Sequence, residues 1–117
     1  MTYAEVSNMV QSIGLPFAYY QFPEGTDQAC PFVCFFFENS NDLAADNTNY
    51  QRIRPLSIEL YTDNKDFELE ETVEATLNSY GLVYSREETH LNSERMYMVT
   101  FRTEIVVTEP VTTDTEG

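Results

Sequence analysis

Arg52-Ile53-Arg54-Pro55-Leu56-Ser57-Ile58-Glu59-Leu60-Tyr61-Thr62 runs directly into Asp63-Asn64-Lys65-Asp66-Phe67. From Leu56 through Ile58 to Leu60 every second residue is aliphatic, with Ser57, Glu59 and Tyr61 between them. That is the two-residue period of a strand with distinct faces. Pro55 has no backbone N–H to donate, so the early part of the strand belongs at an edge or bulge. Asp63 to Asp66 reads as a turn able to cap a helix, and Glu68, Glu70 and Glu71 crowd the next turn, where the helix dipole favours negative charge. Leu69, Val73, Leu77 and Tyr80 then form an apolar stripe that Gly81 stops. The spacing predicts a strand over 52–62 and a helix over 67–80.

Working outward, Thr2-Tyr3-Ala4-Glu5 has the form of a capping box, and Val6, Met9, Val10 and Ile13 follow on one helical face before Gly14-Leu15-Pro16 ends it. This predicts a helix over 3–13. The aromatic run from Phe17 to Phe22 is strand-like and closes at Pro23-Glu24-Gly25. Phe32-Val33-Cys34-Phe35-Phe36-Phe37 is apolar on both faces and belongs in the middle of a sheet. A long polar loop spans Asn39 to Asn49, around Leu43, Ala44 and Ala45. Residues 82–89 and 95–106 read as two strands of a hairpin. Residues 1–108 make one domain and 109–117 a flexible acidic tail. The order α-β-β-β-α-β-β predicts an α+β, two-layer domain: a mostly antiparallel sheet with two helices packed on one face.

A chain of 117 residues holds one core, and 42% hydrophobic with 14% aromatic residues is too apolar for disorder. Asp and Glu number 20 against 6 Lys and Arg, a formal net charge of -14, so free nucleic acid and anionic membranes are repelled. No apolar run approaches a membrane span, and Met1-Thr2-Tyr3-Ala4-Glu5 lacks the pattern of a signal peptide. The expectation is a soluble protein made in the cytoplasm. Cys30 and Cys34, four residues apart on one strand, would lie about 13 Å apart, beyond disulfide reach, and read as small hydrophobes.

Signals for chemistry are sparse. Two Cys and one His are too few for a structural zinc site. Asp63-Asn64-Lys65-Asp66 and Asn39-Ser40-Asn41-Asp42 offer oxygen ligands, but neither has the offsets of a calcium loop. The glycines are scattered, so no loop cradles a phosphate, and every nucleophilic triad would have to route through His90 at a predicted turn. No catalytic, cofactor-binding or metal residues are therefore expected, and the chain is not read as an enzyme.

Arg54-Pro55-Leu56-Ser57-Ile58-Glu59-Leu60-Tyr61-Thr62-Asp63-Asn64-Lys65-Asp66 resembles the "ELYT-x-x-KD" strand-turn signature of small tail proteins in bacteriophages and prophages of Gram-positive hosts. The likeness continues through the acidic helix into Glu94-Arg95-Met96-Tyr97-Met98-Val99-Thr100-Phe101, covering residues 1 to 107. The chain is thus similar to tail terminator and tail completion proteins of long-tailed phages. The resemblance implies a homo-hexameric ring at the head-proximal end of the tail tube, in the virion, assembled in the host cytoplasm. Its partners would be the major tail tube protein and the head connector or stopper, with DNA passing through without specific binding. The family has no catalytic residues to carry over, and the loop at Asn39 to Asn49 departs from its pattern.

Two helices in one layer cover one side of a sheet, so the second side of the strand at Phe32 needs another cover, and a partner subunit supplies one. Val33, Phe35 and Phe37 are the candidates for that outward, subunit-contacting side, with Leu43, Ala44 and Ala45 in the loop as a docking segment. The alternatives are a sheet curled over its own loop, a head-tail adaptor or stopper, and an acidic DNA-mimic inhibitor of a host enzyme.

Overall fold

The structure, a computed structural model, describes residues 1–38 and 52–108. The loop with Leu43, Ala44 and Ala45, and the tail 109–117, lie outside the described residues. The elements are α1 (Tyr3–Gln11), β1 (Phe17–Tyr19), β2 (Phe32–Phe37), β3 (Arg52–Thr62), α2 (Phe67–Ser79), β4 (Tyr84–Leu91) and β5 (Met96–Val107), in the expected order. They form the α+β architecture read from the sequence.

Local chemistry sets the helix ends. At α1 the Thr2 hydroxyl accepts from the Glu5 N–H while the Glu5 carboxylate accepts from the Thr2 N–H, the reciprocal cap that the sequence spelled out. Asp66 caps α2 by accepting from the Leu69 N–H. That helix ends in a Schellman arrangement: Leu82 N–H donates to the Leu77 carbonyl, Gly81 N–H donates to Asn78, and Gly81 adopts φ 73°. The first helix is shorter than its apolar stripe, ending at Gln11 although Ile13 stays buried. The strand expected over 17–22 stops at Tyr19, because Tyr20 turns to φ 69°.

The sheet order is β1-β2-β3-β5-β4. Only β1 and β2 run parallel; β2, β3, β5 and β4 pair antiparallel in turn. Register decides the faces. Val33 lies opposite Leu60, which lies opposite Val99; Phe35 lies opposite Ile58, which lies opposite Phe101. These residues are buried with Val6, Met9, Val10 and Ile13 of the N-terminal segment and Val73 and Leu77 of α2 in one core. Both helices therefore cover this face.

This corrects the assignment of Val33, Phe35 and Phe37 to the outward side. Val33 and Phe35 belong to the helix-covered core, and Phe37 packs half-buried against it, edge-on to Tyr3. Pro55 sits in a central strand, yet is tolerated: its carbonyl accepts from the Glu38 N–H just past the end of the β2 ladder, where no N–H is required of it.

Candidate assembly surface

The sheet face without helices carries Phe32, Cys34 and Phe36 of β2, Ser57, Glu59 and Tyr61 of β3, and Met98, Thr100 and Arg102 of β5. The small residues at its centre, Cys34, Ser57 and Thr100, are nonetheless buried. Larger neighbours surround them. Phe32 stacks on Tyr61 at 4.7 Å and meets Phe22 edge-on, while Tyr20 packs edge-on to Phe36. The Tyr61 hydroxyl donates to Glu59 at 2.7 Å and the Ser57 hydroxyl donates to Glu38 at 2.6 Å. Arg102 reaches both Glu38 at the end of β2 and Glu87 on β4. The chain thus covers much of this second face with its own aromatic and charged side chains.

The thiols on this side are quiet. Burial, with the Glu59 charge adding to it, pushes the Cys34 thiol up to about 11, and burial followed by Asp63 raises Cys30. A folded value above the ordinary 9.0 means that the Cys34 contribution to stability is fully present below pH 9 and is lost as the pH rises toward about 11. Native protein at pH 8 should accordingly leave Cys34 unlabelled by a thiol reagent over times that label it fully in urea. Equal rates in both conditions would contradict the burial. Burial likewise raises Tyr61, reinforced by its hydrogen bond to Glu59.

The basic side chains are largely committed within the fold. Lys65 bridges Glu70 and Glu88, Arg86 bridges Glu70 and Glu74, and Arg102 bridges Glu38 and Glu87. Arg54 donates to the Tyr3 hydroxyl and lies over the Phe37 ring. Desolvation alone would lower Lys65, but its hydrogen bonds to Glu70 and Glu88 outweigh that and raise it. Exposed carboxylates such as Glu24, Asp27, Glu71 and Glu104 therefore give the surface a negative field. Among the described residues no three His, Cys, Asp or Glu side chains gather as a metal site, and no helix is long and apolar enough to cross a membrane.

Exposed apolar surface concentrates elsewhere. Ile53 and Val106 are cross-strand partners on the open face, both exposed. Beside them an open hollow of about 820 Å³ is lined by apolar Met1, Pro55, Leu82, Val83 and Val106 together with Tyr80 and the charged Arg102 and Glu104. Val83 on its wall is 88% exposed. This apolar corner lies where the chain leaves α2 for edge strand β4. At the opposite edge, Tyr19 and Tyr20 of the β1 segment are the exposed large side chains. Sequence reasoning passed over both sets. Val83 follows the helix stop directly, but nothing local says that it stays uncovered.

The fold is that of a two-layer α+β domain, and it has a counterpart among solved structures. One chain of the "Virion of native gene transfer agent (GTA) particle" shares it with a TM-score of 0.54 and 17% identity, the match covering 84% of each chain. A scan against protein-family models and a search of curated proteins give no match.

Proposed function

We propose that this chain is a virion structural protein of the tail terminator or tail completion kind, acting by assembly and not by catalysis. Copies join into a ring of six at the head-proximal end of the tail tube, stop its growth and receive the head connector. The observation that carries this reading is the fold shared, across 84% of both chains, with a component of a gene transfer agent virion. The "ELYT-x-x-KD" resemblance at Glu59 to Asp66 points the same way. Ring closure needs a head-to-tail contact between two different patches. The apolar corner around Val83 and the tyrosines at the β1 edge are exposed at opposite edges of the sheet and suit such a contact. An acidic bore would let DNA slide without sticking.

Electron microscopy of purified protein mixed with tail tubes tests the reading, alongside sedimentation through a salt series. Rings at tube ends are expected, with assembly strengthened as salt screens repulsion between subunits that each carry a net charge of -14. Val83→Asp should remove the rings and leave the unfolding transition unchanged. A monomer in every salt, with bare tube ends, would sink the proposal. Rings on the connector side would instead identify an adaptor or stopper. Salt-sensitive binding of a monomer to a host enzyme would identify a DNA mimic.

A further inference from the structure

Edge strand β4 has little in the core. Its six inner residues, Ser85 to His90, are all exposed, and only Tyr84 and Leu91 at its ends are half-covered. Tyr84 sets its ring 6.0 Å from Phe101, which is the strand's apolar anchor. Neighbouring β5 buries Val99, Phe101, Ile105 and Val107. Tyr84 also hydrogen-bonds with Glu74 and Asn78 of α2, and near the far end of the strand the His90 ring lies 4.6 Å from Tyr97 of β5. The stretch between these two ends is fastened to its neighbours by ion pairs. Arg86 pairs with Glu70 at 2.6 Å and Glu74 at 2.7 Å on α2. Glu88 takes Lys65 at 2.7 Å from the turn before α2, and Glu87 takes Arg102 of β5 at 2.9 Å. Apart from Glu70, these groups reach solvent, where salt weakens such pairs.

We infer that β4 is an ionically fastened strap, which opens from the sheet as a unit when ionic strength rises while the helices and the other four strands stay folded. Opening uncovers the outer edge of β5 and the ring of Phe101. An uncovered strand edge is a template for pairing with another strand, so ionic strength governs how much of that template is presented. The inference stands on the fastening of β4 and does not depend on the assembly reading.

Within β5 the two ladders can be told apart. In an antiparallel pair the N–H and C=O of one residue point to the same side, and successive residues alternate. The Val106 carbonyl accepts from the Met1 amine, on the side away from β3. By alternation Met98, Thr100 and Arg102 face β4, whereas Val99, Phe101, Thr103 and Ile105 face β3. Their amides report the two ladders separately from a single strand.

Residue-resolved hydrogen exchange on the full chain, from low salt to about 1 M sodium chloride, is the test. The amides of Met98, Thr100 and Arg102, with Ser85, Glu87 and Thr89 of β4, should share one opening constant above that of the β3-facing set. Salt should raise it by about tenfold, the combined effect of several screened pairs. The β3-facing amides should hold or slow, because salt relieves the self-repulsion of an acidic fold. Arg86→Met keeps an apolar stem near Phe101 while removing two ion pairs. It should open the strap already at low salt and blunt the salt response. Three results would each overturn the inference: one exchange rate for both sets, a β4 ladder indifferent to salt, or fraying graded inward from the strand ends.

Discussion

Phe35→Glu should unfold the domain and should not release a folded subunit from an assembly. Phe35 lies in the row with Ile58 and Phe101 beneath the helices, and its ring meets those of Phe17 and Tyr19. Losing a buried phenylalanine typically costs about 3–5 kcal/mol. A carboxylate buried there without a cationic partner adds several kcal/mol more. Domains of this size hold a total of about 5–15 kcal/mol, so the sum consumes most of it. Circular dichroism with urea titration should show a lost or strongly shifted transition. A normal transition in a variant that merely fails to assemble would put Phe35 back on the outside. Val83→Asp is the contrast, an exposed site where charge leaves folding alone.

That outcome turns on a limit of the sequence. Six consecutive apolar residues from Phe32 to Phe37 carry no alternation, so the strand alone does not say which three face the helices. The alternation in β3 is clear, but it fixes the faces of β2 only through register, Val33 against Leu60 and Phe35 against Ile58. Register is set by pairing across distant sequence. The second face posed the same difficulty. Aromatic residues there looked in need of a partner, and the structure instead stacks Phe32 on Tyr61 and carries Arg102 across to Glu38 and Glu87.

Local signals were read more successfully. The reciprocal cap at Thr2 and Glu5, the N-cap at Asp66, the stop at Gly81 and the hairpin of β4 and β5 depend on neighbours a few residues apart, and each appears near its expected position. The parallel pairing of β1 with β2, and the insertion of β5 between β3 and β4, have no local signature. Nor does the apolar corner at Val83, which exists because Met1, Tyr80 and Val106 come together from three parts of the chain. The ionic partners of Glu70 have no local signature either: in the sequence it is one acid among several favouring a helix N-terminus, and its burial depends on Lys65 and Arg86 reaching it from outside the helix.

Glu70→Ala should be the most damaging change to a charged residue in the described fold. The carboxylate is almost fully buried, takes Arg86 on one oxygen and Lys65 on the other, and so ties the turn before α2, the helix and β4 together. Removing one partner of a buried pair usually costs about 3–5 kcal/mol, because the opposite charge is left behind. Here both cations keep a second partner, Glu88 for Lys65 and Glu74 for Arg86, and both are partly exposed. The expected loss is therefore near the lower end, about 3 kcal/mol. It should be read as a lower urea midpoint at unchanged slope. Lys65→Met, Glu70→Met and Arg86→Met combined should recover part of that loss, since no cation is then left facing the vacated buried site, while the exposed pairs of Lys65 with Glu88 and Arg86 with Glu74 stay lost. If Glu70→Ala alone shifts stability by less than about 1 kcal/mol, the value of an ordinary exposed pair, then Lys65 and Arg86 do not need the buried carboxylate. In that case α2 is held to the sheet chiefly by its apolar stripe, Leu69, Val73 and Leu77.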